Sequence, residues 1–459
     1  MSLTRMIIKH VQWPLMERLK GNRIRAYLRD LQGAQSLPAD LLRERQEAQL
    51  DRLLQHAAAR VPAYQPYRDV LLDTSLPAPE RLRQLPPLTK ESFRNLHDHY
   101  LAADANPKTL IANRTGGSTG EPVRFYLHRP AVERYEAARW LGLSWHRIGI
   151  GDPSVMIWGS PIELNAGQSR RYRLKERYLK NRLMISAYEI KPRSLPDYVR
   201  LLRSFRPEYL YGYATALHLL ADLILQQGIE LNLPLKAVVS TAETLHPYQR
   251  EAIGQAFQAP VVNEYGARDG GILAYQCPAG KMHTFTENCY LEVVDLKEKK
   301  PVPPGQPGLL LVTDLHNPVM PRLRYQLGDV VQWSQETCSC GISFPVFASI
   351  DGREDDMFLT ASGQYVHGHF FNHIVRSMES FRTFQIIQHE PDRITLKLVR
   401  DPVRYRRDEE QQLLERIRDV LGRGIHLAVE HVPEIPPAAS GKVRYAIRQF
   451  PLPLRQPAP

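Results

Sequence analysis

The sequence predicts an α/β protein: a large N-terminal domain of mixed, mostly parallel sheets and helices over residues 1–352, and a small α+β domain over 353–459. Three observations predict it. Short apolar runs alternate with helical periodicities through the middle of the chain, the pattern of a parallel sheet flanked by helices. From Cys289 onward the runs follow one another as strands, and beyond Gly352 the texture changes to a ββαβ pattern. At 459 residues the chain also exceeds what one hydrophobic core serves, so two or more domains are expected.

In chain order, Leu42, Leu50, Leu53, Leu54, Ala57 and Ala58 fall on one face of a helix over 41–60, which Val61-Pro62 ends. A connector rich in proline (Pro77, Pro79, Pro86, Pro87) leads to a helix start at 89–94. Next comes Arg114-Thr115-Gly116-Gly117-Ser118-Thr119-Gly120-Glu121-Pro122, then an alternating strand (Val123, Phe125, Leu127) and a helix over 130–145. Residues 155–158, 183–185, 209–212, 237–240 and 260–262 read as strands. Among them lie a helix carrying Leu217, Leu220, Leu223 and Ile224, which Gly228 can cap, and a helix over 248–257. Strands follow at 290–295, 309–313 and 330–333. The tail pairs 384–388 with 394–399, adds a helix through Leu413, Ile417 and Leu421, and closes with a strand over 425–432.

Hydrophobic content of 43% and charged content of 24% are those of a globular protein of enzyme size. No apolar run approaches the ~20 residues needed to span a bilayer. The first nineteen residues mix Ile7, Ile8, Val11, Trp13 and Leu15 with Arg5, Lys9 and His10, unlike a signal peptide, so a cytoplasmic location is expected. A peripheral membrane contact through residues 1–31 stays open. The net charge of +11 raises nucleic acid as a partner. The densest basic runs, 170–177 and 404–407, are short and lie beside acidic residues, so they read as solvated helix faces and nucleic acid is not expected. Acidic ligands or an anionic membrane surface are the second reading of those runs.

The glycine-rich stretch can wrap phosphate oxygens with consecutive N–H groups and hydroxyls, but it is not a Walker loop, because no Gly-Lys-Ser/Thr closes it. Five stretches line up behind it: Ser240-Thr241-Ala242-Glu243-Thr244, Asn263-Glu264-Tyr265-Gly266-Ala267-Arg268-Asp269, Arg324-Tyr325-Gln326-Leu327-Gly328-Asp329, Asp351-Gly352-Arg353-Glu354-Asp355 and Ser440-Gly441-Lys442. The first two sit at strand ends, where parallel sheets bind ligands, and Asp329 reads as an isolated carboxylate after a turn. Each alone is an ordinary turn or loop. In this order they resemble the adenylate-forming superfamily of acyl-CoA synthetases, most of all the phenylacetate–CoA ligase branch with its relatives in capsular polysaccharide genes. The resemblance covers roughly 88–448 and is loose before that.

The resemblance implies a role for each matching position. Thr115, Gly116, Gly117, Ser118, Thr119 and Gly120 would hold the β- and γ-phosphates of ATP. Ala242, Glu243 and Thr244 would border the adenine, with Tyr265 of the Tyr265-Gly266 pair stacking on it. Asp329 would accept hydrogen bonds from the ribose hydroxyls, helped by Arg353. Asp355 would be the hinge of the small domain and Lys442 the adenylation lysine. The family's metal-side glutamate aligns with the shorter Asp269, as a magnesium ligand, and Arg268 stands where a hydroxyl residue is usual.

The implied reaction activates a small carboxylic acid with ATP and magnesium to an acyl-adenylate, then passes the acyl group to coenzyme A. Two alternatives remain: capture of the adenylate by an amine or hydroxyl, for instance on a polysaccharide precursor, and a nucleotide-binding scaffold without turnover. Trp140, Trp145, Trp158, Tyr211 and Tyr213 are candidates to line the acid pocket, with plain core packing as the competing reading.

Independently of the family, Cys277, His283, Cys338 and Cys340 read as a structural zinc set. Three of the chain's four cysteines fall in it, each local pair lies near a glycine, and three sulfurs with one imidazole suit a tetrahedral ion. A disulfide or free buried thiols are the rivals.

Overall fold

The computed structural model describes residues 3–115, 123–158, 170–353, 357–360, 365–368, 371, 374–375, 378–436 and 444–450. Helical turns at Leu3–Ile7 and Ile8–Gln12 run into α1 (Trp13–Lys20), α2 (Ile24–Ala34) and α3 (Ala39–Arg60). The α3 helix buries the apolar face expected of it and stops where Val61, ahead of Pro62, turns extended. Strands β1 (Ile111–Arg114) and β2 (Arg124–Leu127) pair antiparallel on either side of the glycine-rich loop. Helix α4 (Arg129–Trp145) follows, with Pro130 in its first turn, where a missing N–H costs nothing.

A run of βα units comes next: β3 (Ser154–Trp158), α5 (Arg170–Leu179), β4 (Arg182–Ser186), α6 (Leu195–Phe205), β5 (Tyr209–Tyr213), α7 (Ala214–Gln226), β6 (Ala237–Thr241), α8 (Pro247–Phe257) and β7 (Val261–Ala267). These strands are parallel, in the order β4-β3-β5-β6-β7. Alternation along each strand divides the side chains between two cores. Val155, Ile157, Leu210 and Val238 pack on α6, α7 and α8. Met156, Trp158, Tyr209, Tyr211 and Val239 face α4 and the N-terminal helices. Gly228 caps α7 as expected, at φ 60° with Ile229 N bonded back to Ile224 O.

Strands β8 (Gly271–Gln276), β9 (Met282–Thr284), β10 (Cys289–Val294), β11 (Pro307–Asp314), β12 (Tyr325–Trp333) and β13 (Val346–Arg353) extend the same sheet antiparallel. The result is one mixed sheet of eleven strands, whose parallel part is limited to β3–β7. The direction changes because β7 and β8 are joined by a three-residue hairpin, 268–270, leading to Gly271 at φ 81°. A crossover helix has no room there.

Beyond it, β14 (Met357–Leu359) and β15 (Tyr365–His367) form a hairpin. A second sheet has the order β18-β17-β16-β19, from β16 (Phe381–Glu390), β17 (Arg393–Arg400), β18 (His426–His431) and β19 (Ala446–Arg448). Helix α9 (Arg407–Leu421) covers it with Leu413, Ile417 and Leu421, against Phe384, Ile386, Ile394, Leu396 and Leu398. This is the expected ββαβ pattern with β19 added, and it has its own core. Among the described residues, no helix is long and apolar enough to cross a membrane.

Candidate active site

The C-terminal ends of β6 and β7 and the middle of β12 converge. Beyond β6 the chain turns through Ala242, left-handed at φ 66°. Glu243 then reaches across to the start of α7, where its Oε2 accepts from Thr215 N (2.9 Å) and Thr215 Oγ1 (2.7 Å). A carboxylate at a helix N-terminus satisfies otherwise orphaned donors, so Glu243 fixes the loop that carries Ala242 and Thr244.

On β7, Tyr265 donates its hydroxyl to Asp329 Oδ2 at 2.6 Å. Asp329 does not follow a turn, as the sequence suggested, but lies inside β12. The glycine before it, Gly328, sits at φ 85° beside a register shift against β11, so the Gly-Asp pair marks a β-bulge rather than a chain reversal. The β12–β13 register places Asp329 directly opposite Arg353. Gly266 is required where it stands, because a Cβ would come within 2.6 Å of the Gly271 carbonyl.

Thr115 closes the neck of the glycine-rich loop: its N donates to Val123 O and its Oγ1 accepts from Val123 N, both at 2.9 Å. Gly116, Gly117, Ser118, Thr119 and Gly120, with Asp355 and Lys442, lie outside the described residues, and Arg353 is placed by its backbone alone. The chain that follows Lys442 is held at both ends of a contact. Tyr445 O accepts from Ile386 N of β16, and the Tyr445 ring stands edge-on to His246, 6.3 Å away, four residues past Ala242. Asp269 is 6% exposed, with Oδ2 accepting from Tyr325 OH at 2.9 Å.

One residue before Tyr265, and therefore on the other face of β7, Glu264 is buried in a network the sequence did not reveal. It accepts from Tyr211 OH (2.5 Å) and Thr241 Oγ1 (3.0 Å), and Arg139 Nε stands 3.4 Å away. Burial pushes the Tyr211 phenol well above its usual range, against the pull of Arg139. Behind the network a cavity of about 200 Å³ opens between α4 and the β4-β3-β5 face. Of the proposed pocket aromatics, Trp140, Trp158 and Tyr211 line it. Trp145 does not: it stacks on Phe285 and donates its indole N–H to Gln35. Tyr213 packs beside Trp158 instead. The pattern that could have found the cavity is the strand alternation of Met156 with Trp158 and of Tyr209 with Tyr211.

The basic run that heads this region is only partly a solvated face. Arg173 and Lys175 are exposed, but Glu176 is buried and takes Lys180 at 2.9 Å and Arg182 at 2.5 Å. The second run meets the expectation, with Arg404, Arg406 and Arg407 exposed.

The four proposed zinc ligands come together from the β8–β9 turn (Cys277), strand β9 (His283) and the β12–β13 loop (Cys338, Cys340). Their ligand atoms lie within 4.8 Å of one another, with Cys277 Sγ 3.6 Å from Cys338 Sγ and Cys340 Sγ 3.2 Å from His283 Nε2. His283 Nδ1 is 2.7 Å from the Phe344 carbonyl, and burial holds the imidazole below its usual pKa. A neutral ring that donates Nδ1–H to Phe344 turns the Nε2 lone pair toward the sulfurs, the arrangement a metal-bound histidine adopts. Cys289 stays apart, its Sγ donating to Phe285 O.

Several known proteins are similar to this chain. The family described as "CapK C-terminal domain" matches residues 358–449. Protein CapK of Staphylococcus aureus is 29% identical over 380 residues, 80% of this chain and 80% of that protein. The phenylacetate-coenzyme A ligase of Thermus thermophilus is 27% identical over 341 residues, 71% of this chain and 73% of that protein. Among solved structures, 2-hydroxyisobutyryl-CoA ligase in its postadenylation state, in complex with R3-HIB-AMP, shares the fold. Its TM-score is 0.71 at 19% identity, over 91% of each chain.

The fold and the sequence matches together define an adenylate-forming ligase. Within that superfamily the chain is similar to CapK and to the phenylacetate–CoA ligases.

Proposed function

We propose that the protein activates a small carboxylic acid with ATP and transfers the acyl group to coenzyme A. The observation that carries this reading is the Tyr265–Asp329 pair at 2.6 Å, with Asp329 in register with Arg353. It gives an aromatic face for the adenine beside a carboxylate for the ribose hydroxyls. Thr115 to Gly120 hold the phosphates, Ala242, Glu243 and Thr244 border the base, and Gly266 lets the backbone pass closely.

A carboxylate oxygen of the acid attacks the α-phosphorus, the bond to the bridging oxygen breaks, and pyrophosphate leaves. Two anions meet in this step, so cationic stabilisation supplies most of the catalysis. Lys442 is assigned that role. The packing of Tyr445, three residues beyond it, against His246 supports its reach toward the Ala242 loop. Magnesium, when bound, neutralises phosphate charge, and Asp269 is the proposed donor through the oxygen that Tyr325 does not engage.

The coenzyme A thiol then attacks the acyl carbonyl and AMP leaves. Residues 353–459 form the small domain that turns about Asp355 between the two half-reactions; the separate core of its second sheet supports this division from 1–352. Zinc at Cys277, His283, Cys338 and Cys340 is structural: all four positions are filled by protein donors, which leaves no open position for substrate.

The second reading passes the acyl group to an amine or hydroxyl, for instance on a polysaccharide precursor, without coenzyme A. Release of AMP measured with and without coenzyme A, on an acid that yields pyrophosphate, separates the two. Dependence on coenzyme A supports the first reading, and AMP release that needs an amine or sugar hydroxyl instead overturns it.

A further inference from the structure

We propose that the cavity behind Glu264 receives the acyl part of the substrate, and that this acid carries hydrogen-bond acceptor groups at the end remote from its activated carboxylate. The proposal rests on the adenylate-forming reading of the site.

Position comes first. Tyr211 lines the cavity and donates to Glu264, the residue immediately before Tyr265. Arg139, also on the wall, lies 3.4 Å from the same carboxylate. The cavity therefore abuts the strand that carries the adenine-side tyrosine, on the opposite face of the sheet. Size comes second. A cavity of about 150 Å³ accommodates a benzene-sized ligand, so about 200 Å³ suits a single-ring or short-chain acid and not a long alkyl chain.

Chemistry decides the rest. Trp13, Trp140 and Trp158 all line the cavity, and the indole N–H of each is buried without an acceptor. Lys180 and Arg182 also line it, ion-paired with Glu176 and close enough to the lining carboxylate of Glu136 to feel its charge. Burial, and then the neighbouring Arg182 guanidinium, holds the Lys180 ammonium below its usual range, so an acceptor oxygen brought to it is stabilised. A wall with three unpaired indole N–H donors is poorly matched to a plain hydrocarbon ring, which would leave them desolvated and unpaired. A ring or short chain bearing hydroxyl, ether or carboxylate oxygens satisfies them. Trp13 comes from α1, so the N-terminal segment, tied down by Arg5 to Asp152 at 2.5 Å, becomes part of the specificity wall.

Pyrophosphate release is measured with phenylacetate and with 4-hydroxy- and 4-carboxyphenylacetate, on the parent chain and on Trp140→Phe and Trp158→Phe. The substitutions keep an aromatic ring and remove one N–H donor each. We expect kcat/KM at least about tenfold higher for an acid bearing the acceptor, because a site built around hydrogen bonds discriminates strongly against the analogue that lacks them. The ratio should shrink toward one in the variants. Equal or better use of phenylacetate, or a ratio unmoved by both substitutions, overturns the proposal. If no acid yields pyrophosphate, the adenylation reading falls, and calorimetric titration of the same acids still decides the cavity. Tighter binding of the acceptor-bearing acids that weakens in the variants supports it, and indifference refutes it.

Discussion

Removing zinc from the proposed four-ligand site should cost the fold a definite amount. Cys277 and Cys338 are 61 residues apart in sequence, and an ion kept by both thiolates of the unfolded chain would close that loop there too. Treated as a covalent cross-link of that span, the tie restrains the unfolded state by about 4 kcal/mol. Spread over a chain of this length, that corresponds to roughly 4 °C in Tm. The loss should be local in origin, since the cluster joins the β8–β9 turn to the β12–β13 loop, and β12 and β13 carry Asp329 and Arg353. Protein purified without added metal should contain about one zinc per chain. A strong chelator should lower Tm by the stated amount in the parent and leave Cys338→Ser unchanged. Metal-free protein of full stability, or an equal chelator effect on parent and variant, would refute the reasoning.

Three further outcomes are expected. Asp355→Pro fixes φ near about −65° and restricts the residue before it, so one half-reaction should slow selectively; equal loss of both rates in a folded variant would count against the hinge. Gly142→Ala should lower stability by about 1–2 kcal/mol even though alanine favours helix, because its Cβ would lie 2.2 Å from the buried Tyr275 ring; an unchanged urea midpoint would contradict this close approach of α4 to the sheet. Burial, and then Arg134, pushes His316 down to about 4 from an ordinary 6.5. The unfolded chain thus takes up its proton first: the contribution is complete above about pH 6.5 and is lost as pH falls toward 4, on the order of 3 kcal/mol. His316→Gln keeps a donor for the Glu287 carbonyl, 2.8 Å from His316 Nε2, and should flatten that acid slope in denaturant titrations.

Most of the parallel sheet was legible because buried strands such as Val155-Met156-Ile157-Trp158 and Ala237-Val238-Val239 are short apolar runs set between helical periodicities. The antiparallel half was read in part. Strand β13 carries Ser349, Asp351 and Gly352, and its pairing with β12 slips twice, so it shows no clean alternation. Strands β9 and β19, at three residues each, are too short for any periodicity to register. The cysteine–histidine set was legible because ligand chemistry restricts the residue types. The Glu264 network was not, because its members come from α4, β5, β6 and β7 and only three-dimensional packing brings Arg139, Tyr211 and Thr241 to one carboxylate.

Exchange of labelled pyrophosphate into ATP, driven by a carboxylic acid and magnesium, tests adenylate formation most directly, since it reads the first half-reaction without regard to the acceptor. The parent chain should support exchange with at least one acid of a panel. Lys442→Ala should lower it by about 10²–10³ while the protein stays folded, the usual cost of one transition-state electrostatic partner. Absence of exchange with every acid in protein that binds ATP, or a parental rate in Lys442→Ala, would contradict the account.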